Sequence, residues 1–155
     1  ATGATGEPGA TGAASEGNLK PPIDETGASD TLTPEETGSL VLLDRAEGVD
    51  IILPDTPPDG TWYEFQVFQD VNGAVGAYSI SASGSDAFSG FLNGEKAATA
   101  SEQFITTTAT DIQLNGTTTG GLVGTQFQIV YLASTKRWVT SGSFYGTGVL
   151  TTPFS

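Results

Sequence analysis

Eighteen carboxylates and no imidazole define the chemistry open to this chain of 155 residues. Glu64 stands in a run of alternating residues, and Asp44, Asp50, Asp55, Asp59, Asp70 and Asp86 fall near turn signals. Two carboxyl groups about 5 to 10 Å apart in a cleft can hydrolyse a glycosidic bond, one protonating the leaving group while the other acts as base or nucleophile. No motif selects such a pair, and aspartates at turns ordinarily serve the turn itself. Turn carboxylates that converge could hold calcium, but Asp55 to Asp59 lacks the alternating ligand spacing of an EF-hand loop. Histidine and cysteine are both absent, which removes imidazole triads, thiolate chemistry, disulfides and zinc sites built on those residues. The glycines of 116–124 are followed neither by Gly-Lys-Ser/Thr nor by a predicted helix, so the stretch reads as a loop and not as a phosphate cradle. The expectation is a non-enzyme with no catalytic residue, cofactor or metal ligand.

Aromatic side chains are the remaining candidates. Trp62, Tyr63, Phe65, Phe68, Phe127, Tyr131, Trp138, Phe144 and Tyr145 lie on predicted strands, where alternating aromatics normally supply buried area. Trp62 and Phe68 fall on the face opposite Tyr63, Phe65 and Val67, and are therefore the expected interface residues. Lys136 and Arg137 form the one adjacent basic pair, which is either solvated or meets a neighbour's carboxylate.

The elements that must position these residues are short. Val49 to Leu53, Tyr63 to Val67, Tyr78 to Ala82, Ile112 to Leu114 and Phe127 to Tyr131 alternate with period two, Leu40 to Leu43 is a strand apolar on both faces, and Trp138 to Tyr145 reads as the last long strand. Further strands are expected over 87–92, 104–110 and 147–154. Pro57-Pro58-Asp59-Gly60, Asn72-Gly73, Asn93-Gly94 and Asn115-Gly116 read as turns. Residues 95–103 show no apolar stripe and read as loop or short strand. Eight to ten strands with turns about every ten residues predict an all-β antiparallel sandwich, jelly roll or barrel over residues 39–155.

Residues 1–38 read as an extended arm. Apart from alanine their apolar residues are Leu19, Ile23 and Leu32, too few to offset the cost of ordering the segment alone. Any order is expected to come from docking on another chain, with those three residues as contacts. Thr33-Pro34-Glu35-Glu36 can open one helical turn that Gly38 stops. Gly3, Gly6, Gly9 and Gly12 keep the period of a three-chain polyproline-II helix, whose axis admits only glycine, and point to a trimer.

Charge is uneven. Residues 1–70 carry 14 acidic and 2 basic side chains, and residues 71–155 carry 4 and 3. Such a surface repels nucleic acid and anionic membrane, and can lie on a basic partner. No stretch reads as a membrane span or a secretory signal.

Together these features resemble a tailed-bacteriophage virion surface protein. The resemblance is carried by the collagen-like start Gly3-Ala4-Thr5-Gly6-Glu7-Pro8-Gly9, by Gly76-Ala77-Tyr78-Ser79-Ile80 and Trp138-Val139-Thr140-Ser141-Gly142 in the β-rich body, and by Gly146-Thr147-Gly148 before Thr151-Thr152-Pro153-Phe154-Ser155. It implies a capsid decoration or cement protein, or a head fibre, on the capsid exterior. The implied partners are two further copies in a homotrimer and the major capsid protein, with the arm crossing a seam between capsid subunits. The alternatives are a phage fibre or receptor-binding tip and a carbohydrate-binding module.

Overall fold

The computed structural model describes residues 20–96 and 101–155. Alternation decides which side chains enter the core. β5 (Trp62–Val67) buries Tyr63, Phe65 and Val67 and turns Trp62, Glu64 and Gln66 the other way. β10 (Gln126–Leu132) buries Phe127, Ile129 and Tyr131. β11 (Arg137–Gly146) buries Trp138, Thr140 and Phe144. The other strands are β1 (Ile23–Glu25), β2 (Ser29–Thr31), β3 (Ser39–Leu43), β4 (Asp50–Ile52), β6 (Tyr78–Ser81), β7 (Ala87–Lys96), β8 (Glu102–Ala109) and β9 (Asp111–Leu114).

These strands form a seven-stranded sheet in the order β1-β3-β5-β10-β11-β7-β8 and a four-stranded sheet in the order β2-β4-β6-β9. Their inward rows make one apolar cluster that draws on both sheets. Phe65 stacks on Phe127 with ring centres 5.2 Å apart. Trp138 sits 5.9 Å from Tyr63 and 5.0 Å from Tyr131. The body is all-β, as expected, with a mixed rather than uniformly antiparallel pairing. Five strand pairs run parallel (β1/β3, β3/β5, β2/β4, β4/β6, β7/β11) and four antiparallel.

The parallel pairs have a simple origin. From β1 to β6 the chain visits the two sheets alternately, so each strand in one sheet is the crossover that a parallel pair in the other requires. Residues 23–81 are thus three turns of a two-layered parallel coil, with Ile23, Val41 and Phe65 in register on one side and Asp30, Ile51 and Ile80 on the other. β5 then joins this coil to the antiparallel β5-β10-β11 meander.

Several sequence expectations change. Residues 20–38 are not an arm: β1 and β2 extend both sheets, Leu32 is 1% exposed in the chain's own core, and Ile23 packs against that core. Leu32 is therefore taken up by the chain's own core, and Ile23 is half-buried against it. The turn Pro34–Glu36 forms as a 3-10 turn, with the Glu36 carboxylate accepting the Thr33 N–H at 2.7 Å. The Tyr63 hydroxyl pins it by donating to the Thr33 carbonyl at 2.6 Å. Leu19 and the glycine triplets lie outside the described residues. Asn93-Gly94 is not a turn; it lies within β7, which runs on to Lys96. The irregularity in that strand falls earlier, where the register with β8 shifts between Phe88 and Gly90, and Gly90 has φ 131°. Residues 147–154 form no strand. Phe154 makes a single bridge to Ile112, and the Pro153 and Ser155 carbonyls accept N–H groups from Gln113 and from Thr110 and Asp111.

Replacing Leu32 by alanine is expected to lower the unfolding free energy by about 2–5 kcal/mol, as for a core leucine. Urea denaturation followed by tryptophan fluorescence checks this; a loss below about 0.5 kcal/mol would mark Leu32 as a surface residue.

Candidate functional site on the outer face of the large sheet

Strand register turns the outward residues of the seven-stranded sheet into rows. One row is apolar: Trp62 stands beside Val130, which stands beside Val139. The next holds Leu40, Glu64, Gln128 and Ser141. The third holds Gln66, Gln126, Ser143, Asn93 and Gln103. Neighbours in a row are about 4.8 Å apart, the spacing of paired strands.

Between the second and third rows lies a hollow of about 470 Å³ lined by Glu64, Gln126, Gln128, Ser141, Ser143 and Tyr145. The Gln126 amide donates to the Glu64 carboxylate on its floor. Tyr145 forms one side. Its ring lies over Gly124, where a Cβ would come within 3.3 Å of the ring, and its N–H donates to the buried Thr125 hydroxyl at 3.0 Å. Gly124 has φ 102°, a backbone region that favours glycine. Hydrogen bonding to Glu95, and then its charge, push the Tyr145 phenol above its ordinary value. Amides and hydroxyls that both donate and accept, with one carboxylate and one aromatic ring, suit a neutral polyhydroxyl ligand. Glu64 and Glu95 lie three strand intervals apart, about 14 Å or more, beyond the range for paired-carboxylate hydrolysis.

The interface residues expected from sequence do not form one patch. Trp62 is half-buried, its indole near Gly38, and shares the outer face with Arg137 two strands away. Leu132 and Val139 beside them are 40% and 37% exposed. Phe68 is 61% exposed but lies past the other end of β5, about 20 Å from Trp62 at strand rise. Lys136 occupies the β10–β11 turn at φ 54°, and its ammonium group donates to Ser85 at 3.2 Å. The basic pair is therefore divided between the face and the turn.

The turn aspartates tie loops together. Asp59 accepts the Ala133 N–H at 2.8 Å, and Asp70 accepts the Val123 N–H at 2.6 Å. Asp86 is buried, taking the Tyr131 hydroxyl at 3.1 Å and the Thr56 N–H at 3.2 Å. Burial first, and then this carboxylate, raise the Tyr131 phenol. Among the described residues no group of three or more acidic side chains could hold a metal ion. A second hollow of about 340 Å³, beside Arg45, Glu47 and Asp50, has its cation already paired, with Arg45 3.3 Å from Glu47.

Tyr145 is among the aromatic candidates, but Gln66, Gln126 and Gln128 carry no sequence motif that marks them as site residues. The signal was present in the glutamines that alternate with core residues along 126–131, which marks them as outward. What it lacked was the neighbour: Gln126 and Glu64 are 62 residues apart. Compared with known proteins, the chain matches no family model, no curated protein and no solved structure.

Asp86→Ala is expected to cost about 1–3 kcal/mol, because it strands the Tyr131 hydroxyl and the Thr56 N–H. A thermal melt of the variant against the parent protein checks this.

Proposed function

We propose that this chain is a non-enzymatic structural protein of a virion, a decoration protein on the capsid exterior that works by contact. The observation that carries this reading is the open outer face of the large sheet, where Trp62, Val130 and Val139 form an apolar row flanked by Leu132 and Arg137. Such a row on a rigid two-sheet body suits a neighbouring protein surface, either another copy or a capsid subunit. The glycine triplets favour three copies, and the acidic bias of residues 1–70 favours a basic shell beneath. The separation of Glu64 from Glu95 favours a binding role over hydrolysis. On this reading the purified protein sediments as a trimer, and Trp62→Ala lowers the trimer fraction while leaving the melting temperature within a few degrees. Sedimentation velocity at micromolar concentration makes the comparison. A parent protein that stays monomeric and does not bind a capsid shell would reject the proposal.

A second reading is favoured by the hollow beside Tyr145: a fibre tip or carbohydrate-binding module that takes a neutral glycan there. Amides and hydroxyls meet sugar hydroxyls, and the tyrosine ring meets the apolar face of a pyranose. Tyr145→Ala is then expected to weaken binding to a neutral glycan about tenfold, close to 1.4 kcal/mol, while Trp62→Ala leaves it unchanged. A glycan array followed by titration calorimetry gives the answer.

A further inference from the structure

The first turn of the parallel coil departs from the pattern of the two that follow. At one inward position of the large sheet, Glu25 stands in register with Leu43, and Leu43 with Val67. At the inward position of the small sheet, Asp30 stands in register with Ile51, and Ile51 with Ile80. Those four aliphatic side chains are fully buried. Two carboxyl groups therefore occupy positions that the next two turns fill with hydrocarbon.

Glu25 is 5% exposed, and its Oε1 has no hydrogen-bond partner. The charges that bear on it are all acidic: Asp30 from β2, Glu36 from the 3-10 turn and, from the opposite face of its own strand, Asp24. From β3's end, Asp44 donates its N–H to the Glu25 carbonyl at 3.2 Å. The nearby cations among the described residues are engaged elsewhere, Lys20 with the Glu35 carbonyl and Arg45 with Glu47. A buried carboxylate with no counter-ion is far costlier than the protonated acid. β1 and β2 are three residues long and lie at the edge of each sheet, so little backbone pairing opposes their release.

We propose that Glu25 and Asp30 form a proton-gated latch: with a proton held between them the first turn closes on the body, and without it β1 and β2 detach from β3 and β4 up to the anchor at Leu32. Leu32 stays behind because it is core and its N–H donates to the Ile52 carbonyl at 3.0 Å. The pH window follows from Glu25. Burial, followed by the hydrogen bond and charge of Asp30 and the charges of Glu36 and Asp24, raises it from 4.5 to about 7. A folded state that binds the proton more tightly gains its full stabilisation below about 4.5 and loses it progressively up to about 7. The latch closes in mild acid and opens above neutrality.

Amide hydrogen exchange of the full chain at pH 5.5 and pH 8.0, normalised for intrinsic exchange, tests the latch. Peptides covering residues 23–32 are expected to lose at least tenfold protection at pH 8.0, while those of β10 and β11 hold theirs. Glu25→Gln is expected to keep β1 and β2 protected at both pH values, and Asp30→Asn to open less at pH 8.0 than the parent, because Glu25 then falls back toward its ordinary value and less stability is lost on ionisation. Equal protection of residues 23–32 at both pH values in the unaltered protein overturns the proposal. So does a Glu25→Gln variant that still opens at pH 8.0. If Glu25→Gln fails to fold, an Asp30→Asn protein that loses as much protection over residues 23–32 at pH 8.0 as the parent overturns it instead.

Discussion

The seam between the two sheets carries the rest of this molecule. No disulfide staples the chain, so burial across that seam supplies the main force that holds the described residues together. Trp138, Tyr63, Tyr131, Phe65 and Phe127 fill it from the large sheet, and Tyr78, Ile80, Ile51 and Ile112 fill it from the small one. Aromatic rings dominate because each removes a large apolar area from water, and the polar tips of the three tyrosines all find partners: Thr33, Asp86, and the Leu43 and Gln69 carbonyls. Burial raises all three phenols, so none is an ionised group near neutral pH.

The outer face depends on that seam indirectly. β5 pairs in parallel with β3 and antiparallel with β10, so one strand joins the coil to the meander. Once Tyr63, Phe65 and Val67 are committed inward, Trp62, Glu64 and Gln66 must face outward, next to whatever β10 and β11 present. The apolar row and the polar hollow are the outward counterparts of the aromatic core. A slip of one residue between β5 and β10 would exchange the two faces and destroy both.

The first turn of the coil shows the same constraint at its limit. Its strands complete both sheets and cover the hydrocarbon of the next turn, yet two of its own inward positions, Glu25 and Asp30, are acidic. Terminal repeats of stacked folds commonly carry polar groups where no further repeat will cover them. Here two carboxyl groups are turned inward instead, and burial raises Glu25 to about 7.

Period-two alternation was enough to show an all-β body and to sort Tyr63, Phe65, Phe127, Ile129 and Trp138 from Trp62, Glu64, Gln126 and Gln128. Thr33-Pro34 and Glu36 were enough to show a capped turn. Both signals are local, since the pleat and the cap depend on neighbours within a few residues. Parallel pairing was not legible. The coil's turns are 18 and 24 residues apart in the large sheet, so no fixed repeat appears in the chain. Residues 20–38 read as an arm because β1 and β2 are short and polar; Leu32 and the register with β3 and β4 make them part of the body. Asn93-Gly94 has turn chemistry but is held straight by β11 and β8 on either side. The hollow beside Tyr145 and the placing of Glu25 beside Leu43 and of Asp30 beside Ile51 are likewise products of register. Which face a side chain takes is decided by its immediate neighbours in the chain, whereas what it meets there is decided by strands that only long-range burial brings together.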